Sequence, residues 1–497
     1  MICPNCSSDN TIKKGLQYFK GNLQQRNRCK DCGTNFYHDP NHSSSIIHES
    51  TQRKWVITTA LNDTRTNFKF LETLQSYCAI NNAELLIIPV KYLTSDIEEY
   101  TWDEDLAEYF IRNNILLTPD LKLLAGVHIS PTAANPLAGF DSMSKGMSLI
   151  IPSTKLMMKT VAVNHIDKPA IIHTTGSISY PNYTNTKAGE KATFNHSFSA
   201  VIVEEDSDID SFHIRVLNSD ESGAFYDIEH HYSGVARNNV TSVPGIVLGD
   251  EHVKHIDPEV KKATFDNHDS ICSVLRPEFL IRHDVLDFYA ASHHHKNNFF
   301  TQYKKYMAGT NNVEAELHET IDYLIKTTPS GSKSIIVDSN HNNHLDVWLN
   351  TVDAKKEPWN AKLYHKLMYL KLDAIENKID ENTFSLWCKN TKPSSNIMFV
   401  GDDESFKIFD IELGFHSDRG VNGSRGSTIQ FSKLGHKTVI GHQHSPNIYE
   451  GAYCVGHSCV SKLDYNRGPS SWHQAHCVIY PNGKRQMIFI KNGKWRK

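Results

Sequence analysis

No apolar run in these 497 residues approaches the ~18 residues that a membrane-spanning helix needs. The opening Met1-Ile2-Cys3-Pro4 does not begin a signal peptide. Both absences point to a soluble, cytoplasmic protein. A strong charge of either sign is also missing: 52 Lys and Arg stand against 56 Asp and Glu, for a net charge of -4. The chain as a whole is therefore no magnet for nucleic acid, and any basic surface must be local. Cysteine is sparse and unevenly placed, with four of the ten inside the first 32 residues. That spread argues against a disulfide framework and for one zinc site plus free thiols in a reducing compartment.

The length suggests about three domains. Residues 1–37 hold the paired cysteines and end near Phe36, and residues 38–53 are a polar, turn-rich linker. Residues 54–244 read as an α/β domain of unassigned role. It opens with a strand at Trp55–Ala60, a helix at Phe68–Ile80 and a strand at Glu84–Val90, a βαβ unit. Further strands are expected near Lys122–His128, Ser148–Pro152, Ala170–Thr174, Ser199–Val203 and His213–Leu217. Residues 245–497 alternate strands (245–248, 334–337, 397–400, 438–440) with helices (258–265, 313–326, 360–377). Such alternation predicts a layered α/β architecture with its chemistry on loops at strand ends.

Cys3-Pro-Asn-Cys6 and Cys29-Lys-Asp-Cys32 are two Cys-x-x-Cys knuckles that together supply four thiolates. Four thiolates close a tetrahedral zinc site with no open position, which makes it structural. So short a segment has little core, so the metal supplies much of its stability. The pattern, with Lys14-Gly15, Gln25, Gly33 and Phe36, resembles the zinc ribbons of insertion-element transposases and related phage proteins. Six Lys and Arg against two acidic residues in 1–32 make this ribbon locally basic and point to phosphate backbones. A purely structural or protein-binding ribbon is the alternative.

Histidine is abundant, at 28. Five polar clusters stand in one order: Asp250-Glu251-His252, His283-Asp284, Ser339-Asn340-His341, His416, and Gly441-His442-Gln443-His444. Carboxylates, amides and imidazoles of this kind are the ligands of a two-metal site, which can activate water and clamp a phosphate. Singly, each cluster is an ordinary polar loop; the ordered set after strand-like runs is not. The set resembles the calcineurin-like metallophosphoesterase superfamily over residues 245–480. The resemblance implies a β-sandwich flanked by helices. It also implies that Asp250, His252 and His444 hold one metal, that Asn340, His416 and His442 hold the second, and that Asp284 bridges them. His341 would be the general acid at the leaving oxygen, with a metal-bound hydroxide as nucleophile.

The sequence departs from the family in having His283 where glycine usually precedes the bridging aspartate, Ser339 and Asn342 around Asn340-His341, and Ser417 after His416. Asp287 is the nearest rival for the bridge, and Asp402, after the strand at 397–400, breaks the cluster order. Arg419 and Arg425, in a glycine-rich loop, are candidate phosphate contacts. His293, His294 and His295 could extend the site or be a solvated loop. His344 and His365 read as surface or supporting residues, and Cys454, Cys459 and Cys477 as buried thiols. The second aspartate motif does not match protein phosphatases, and the block most resembles the nuclease branch with its double-strand-break repair enzymes and phage DNases. The expectation is therefore a manganese-dependent deoxyribonuclease with DNA as partner, cytoplasmic in the host if phage-encoded, with a homo-oligomer left open. The alternatives are a small-molecule phosphatase or phosphodiesterase, and a non-catalytic DNA-binding regulator.

Overall fold

Lys54–Leu61 and Glu84–Val90 are short apolar runs of the kind a buried strand needs, and they pair in parallel with the helix Phe68–Asn81 between them. This is the expected βαβ unit. Asn67 starts its helix by accepting from the Phe70 amide, and Asn82, in the left-handed region, ends it. Ser199–Asp206 and Ser211–Asn218 complete a four-stranded sheet. The structure, a computed structural model, describes the chain except for residues 1–2, 4, 7, 20–21, 39–47, 93–100, 165–169, 464–465 and 497.

The sheet that positions the site has six strands, in the order Ile397–Val400, Lys333–Val337, Phe279–Arg282, Gly245–Val247, Ala475–Ile479 and Arg485–Phe489. The first four run parallel and the last two are antiparallel. Side chains alternate between its faces along each strand. Val247, Ile281, Ile335 and Val337 point to one face, where they pack with Ile411, Val439 and Tyr453 of a second, eleven-stranded sheet. On the other face Ile336 meets Leu317, Ile321 and Leu324 of the helix Val313–Thr327, and Leu345 and Trp348 of the helix Asn340–Thr351. Ile246 and Leu280 pack there with Val260, Ile271 and Leu275. The architecture is mixed α/β, sheet against sheet with helices outside.

The eleven-stranded sheet draws on both sides of residue 244. Met158–Val161 pairs with Asn447–Tyr449, so the 54–244 and 245–497 stretches share it. Its far edge is His48–Glu49, within the stretch expected as linker; residues 39–47 of that stretch lie outside the described residues. The strand expected near Lys122–His128 is only Leu121–Leu123, because a turn closed by the Val127 amide on the Leu124 carbonyl follows at once. The helix expected at 258–265 is α-helical only over Pro258–Lys261 and then widens into a π turn. Among the helices that were not anticipated are Phe299–Ala308, Asn340–Thr351 and Thr383–Thr391, each capped by a side chain, from Asn298, Ser339 and Asn382. Among the described residues no helix is long and apolar enough to cross a membrane.

Candidate metal centre

Asp250, Asp284 and Asn340 each lie just past the end of a strand in the parallel part of the six-stranded sheet. Neighbouring parallel strands end on the same side, so residues far apart in sequence converge there. The chain past the first two strands stays paired: the Glu251, His252 and Val253 amides donate to the carbonyls of His283, Asp284 and Val285 at 2.8–3.1 Å. That ladder sets His252 beside Asp284. His442 and His444 arrive from the opposing sheet, on the loop after Lys437–Ile440, and the Gly441 amide donates to the His416 carbonyl at 3.1 Å.

The result is three overlapping donor groups: two share Asp284, and a third joins His252 to Asp287 and His341. Donor atoms of Asp250, His252, Asp284 and His444 lie within 4.8 Å of one another, and so do those of Asp284, His416 and His442. His444 Nε2 is 3.0 Å from Asp250 Oδ2, His416 Nε2 is 3.0 Å from Asp284 Oδ2, and His252 Nε2 is 3.1 Å from His444 Nε2. Asp250, His252, Asp284 and His416 are buried. Positive φ angles concentrate here: 42° at His252, 46° at Asp284, 83° at Ser417, 73° at His442 and 56° at His444. Non-glycine residues enter that region at a cost of about 1–3 kcal/mol each, so the surrounding contacts must over-determine the site.

These donor atoms suit a divalent ion. Asp250 Oδ1, Asp284 Oδ1, Asn340 Oδ1 and His444 Nδ1 are buried without a hydrogen-bond partner. Buried polar atoms are ordinarily satisfied, so a cluster of orphans implies a missing partner. His252 Nδ1 is 3.0 Å from Asp287 Oδ1 and donates to it, which leaves the Nε2 lone pair facing His444. Burial would raise the Asp284 carboxyl, but the neighbouring His416 and His341 hold it well below the usual range. Burial would likewise lower His416, but Asp284 and Asp250 push it up to about 9. A proton on His416 would compete with a cation there, so an ion bound at Asp284 and His416 would displace it.

Asp287 does not stand between the two groups. Its carboxylate takes His252 Nδ1 and lies 3.5 Å from His255 Nε2 and 3.9 Å from His341 Nδ1. It orients imidazoles, a role the sequence reading did not give it. His341 Nδ1 is 3.0 Å from the Asp287 carbonyl, so Nδ1 carries the proton and Nε2 is the free atom. Its side chain is 18% exposed at the mouth of the site. A cleft of about 650 Å³ is lined by Asp284, Asn340, His341, Arg425, His442, His444 and Trp472.

The other sequence candidates separate. Arg425 lines this cleft, whereas Arg419 pairs with Asp402 and lines a different cavity. His293 and His294 gather with His344, and His365 is an exposed residue. Cys454, Cys459 and Cys477 are buried thiols. His283, in place of the family glycine, is buried with Nδ1 3.4 Å from His416 Nδ1; burial and the charge on His416 lower it to about 4, so it stays neutral. Trp472, whose ring packs edge-on 4.2 Å from His444, carried no signal in sequence. Nor did the fully buried Glu251–Arg282 pair, 3.0 Å apart, which Tyr323 completes by donating to Glu251. Arg282 precedes His283 and Glu251 follows Asp250, so this pair fixes both strand ends.

At the N-terminus the four cysteines come together beside the strands Thr11–Phe19, Asn22–Cys29 and Asn35–His38. Cys3 Sγ is 3.6 Å from Cys32 Sγ, and Cys6 Sγ is 3.5 Å from Cys29 Sγ. Tetrahedral zinc with ~2.3 Å bonds separates its sulfurs by about 3.8 Å, so the cluster fits a zinc ribbon.

No protein-family model matches the chain, and no solved structure matches it. The chain is similar to Protein A1 of Escherichia phage T5, 33% identical over 462 residues, which cover 89% of this chain and 83% of the relative.

Proposed function

The chain belongs to the family of Protein A1 of Escherichia phage T5, and from its histidine–aspartate centre we propose that it is a two-metal phosphoesterase that hydrolyses DNA. The observation that carries the reading is the sharing of Asp284 between two ligand groups. A carboxylate so placed can hold two cations close together, the arrangement that clamps a phosphodiester. In this proposal Asp250, His252 and His444 hold one ion, Asn340, His416 and His442 the other, and the domain is a metallophosphoesterase sandwich. When bound, the two ions would supply Lewis-acid charge for the phosphate and lower the pKa of a water. Manganese is the cation we propose, and zinc for the ribbon; oxygen and imidazole ligands suit manganese as well as iron or zinc.

The chain's own residues do the rest. Asp287 holds His252 and His341 in single orientations. His341 keeps its Nδ1 proton on the Asp287 carbonyl and turns Nε2 to the cleft, where it can pass a proton to a leaving oxygen. Burial holds His341 below its ordinary pKa despite Asp284 and Asp287. A bound phosphodiester brings the negative charge that favours the protonated form. Arg425 at the cleft wall can fork onto a second phosphate. The basic ribbon favours DNA over a small phosphoester as substrate.

The test is incubation of the purified protein with circular and linear DNA in manganese, magnesium or chelator. Manganese-dependent cleavage that chelator stops is expected. DNA left intact, with a nucleotide or simple phosphodiester turned over at a salt-independent rate, would replace DNA by a small-molecule substrate. Deleting residues 1–37 should weaken DNA binding and flatten its salt dependence; unchanged binding would leave the ribbon a structural part.

A further inference from the structure

Beside the proposed centre, and outside its ligand set, three imidazoles meet with no carboxylate among them. His293 and His294 stand on a short 3-10 turn, and His344 on the helix Asn340–Thr351. Their nearest ring nitrogens lie within 4.8 Å of one another. Ring centroids are 3.9 Å apart for His293 and His294, 4.7 Å for His293 and His344, and 6.0 Å for His294 and His344. His344 is only 9% exposed, and its Nδ1 is buried without a hydrogen-bond partner. His293 and His294 are exposed. The trio thus has a fixed inner member and two outer members that reach solvent.

Protonated imidazoles at these distances would repel one another. Burial, then the charges of His341 and His293, lower His344 to about 3. Neutral imidazole is the ligand form that borderline transition metals take. Three such nitrogens with one side open to solvent make an incomplete tetrahedron, which leaves a fourth position for water or an anion.

We propose that His293, His294 and His344 form a separate, solvent-accessible site for one zinc-like transition-metal ion. It lies next to the proposed centre: the His341 and His344 rings are 4.7 Å apart. His294 also lines a second hollow with His255, Tyr289, His295 and Lys462, which meets the main cleft at His341. An ion here would put positive charge on that wall, with its open position available to an anionic group such as a phosphate. An all-nitrogen site discriminates against manganese and magnesium, so this ion differs from those at Asp284.

The experiment is a cobalt(II) and zinc titration of the full chain, after the cysteine and Asp284 sites have been filled with zinc and manganese respectively. Bound metal is read by elemental analysis, and cobalt geometry by visible absorption. One further equivalent is expected, with a nitrogen-ligated tetrahedral cobalt spectrum. The double variant His293→Ala/His294→Ala should lose that one equivalent and the spectrum while keeping its fold by circular dichroism. Both substituted residues are exposed, so misfolding is not expected; His293→Gln/His294→Gln, which keeps the polarity, should show the same loss. Equal cobalt uptake and spectrum in wild type and both variants would overturn the proposal, as would absence of the further equivalent in wild type. Neither readout depends on DNA hydrolysis.

Discussion

The backbone amide of His442 donates to Asp250 Oδ2 at 2.7 Å, across 192 positions of sequence. This bond ties the loop of one sheet to the strand end of the other, and it leaves Asp250 Oδ1 free as a ligand. The loop can come so close because residue 441 is glycine. A Cβ there would collide with Asp250 Oδ1 and meet the His283 ring at 2.9 Å. Gly441→Ala should therefore push the two sheets' ligands apart. We expect manganese affinity to fall at least tenfold in a calorimetric titration, with melting temperature lowered by overpacking. Native affinity in this variant would show that the loop is not held in register by that contact.

Asp287 anchors His252 and His341 without lying between the two ligand groups. Asp287→Asn should weaken manganese binding by about 10- to 100-fold, the usual effect of removing the partner of a ligating histidine. It should still allow two ions at saturation, whereas Asp284→Asn should not. Metal counts on dialysed samples separate the two, and identical losses would make Asp287 a ligand after all.

His341 contributes a proton path rather than a ligand. His341→Ala should retain both ions and lose turnover by about 10²- to 10⁴-fold in single-turnover DNA cleavage. Loss of the metals along with the activity would move His341 into the ligand set.

Far from the centre, Arg215 is buried against Glu204 and Asp227, with Arg215 Nε 2.8 Å from Asp227 Oδ1. Burial would raise Glu204, but Arg215 and Lys54 hold it down at about 2. A carboxylate lowered by folding stabilises the protein above its unfolded pKa, ~4.3. That contribution, of order 3 kcal/mol, is lost as pH falls from there through about 2. Denaturant unfolding across pH 2–5 should show the decline. Arg215→Met should lower stability at neutral pH and remove or invert the acid slope, and an unaltered slope would assign it to other carboxylates.

Part of this site was legible because Asp250 and Asn340 follow apolar runs that read as strands, 245–248 and 334–337, and the fold has Gly245–Val247 and Lys333–Val337 there; the strand Phe279–Arg282 before Asp284 was not among the expected ones. Their order along the chain made Asp250, Asp284 and Asn340 candidates, and the fold brings them together past the ends of neighbouring parallel strands. What stayed hidden depends on contacts between distant residues. Asn340–Thr351 begins with Asn-His-Asn-Asn-His, a poor helix former, and is held by the Ser339 cap and by burial of Leu345, Trp348 and Leu349. Asp287 reads as one more acidic residue until His252, His255 and His341 are seen around it. The glycine-rich loop gives Arg419 and Arg425 equal standing in sequence; only the fold sends one to Asp402 and the other to the cleft. The sheet that spans residue 244 rests on the pairing of Met158–Val161 with Asn447–Tyr449, which no local pattern encodes.

Anomalous diffraction from crystals grown with manganese shows whether a pair of ions is held around Asp284. Two manganese peaks about 3.5–4 Å apart are expected, one on each side of the Asp284 carboxylate. One would lie near Asp250, His252 and His444, and the other near Asn340, His416 and His442. A single peak, or two peaks that do not share Asp284, would contradict this arrangement.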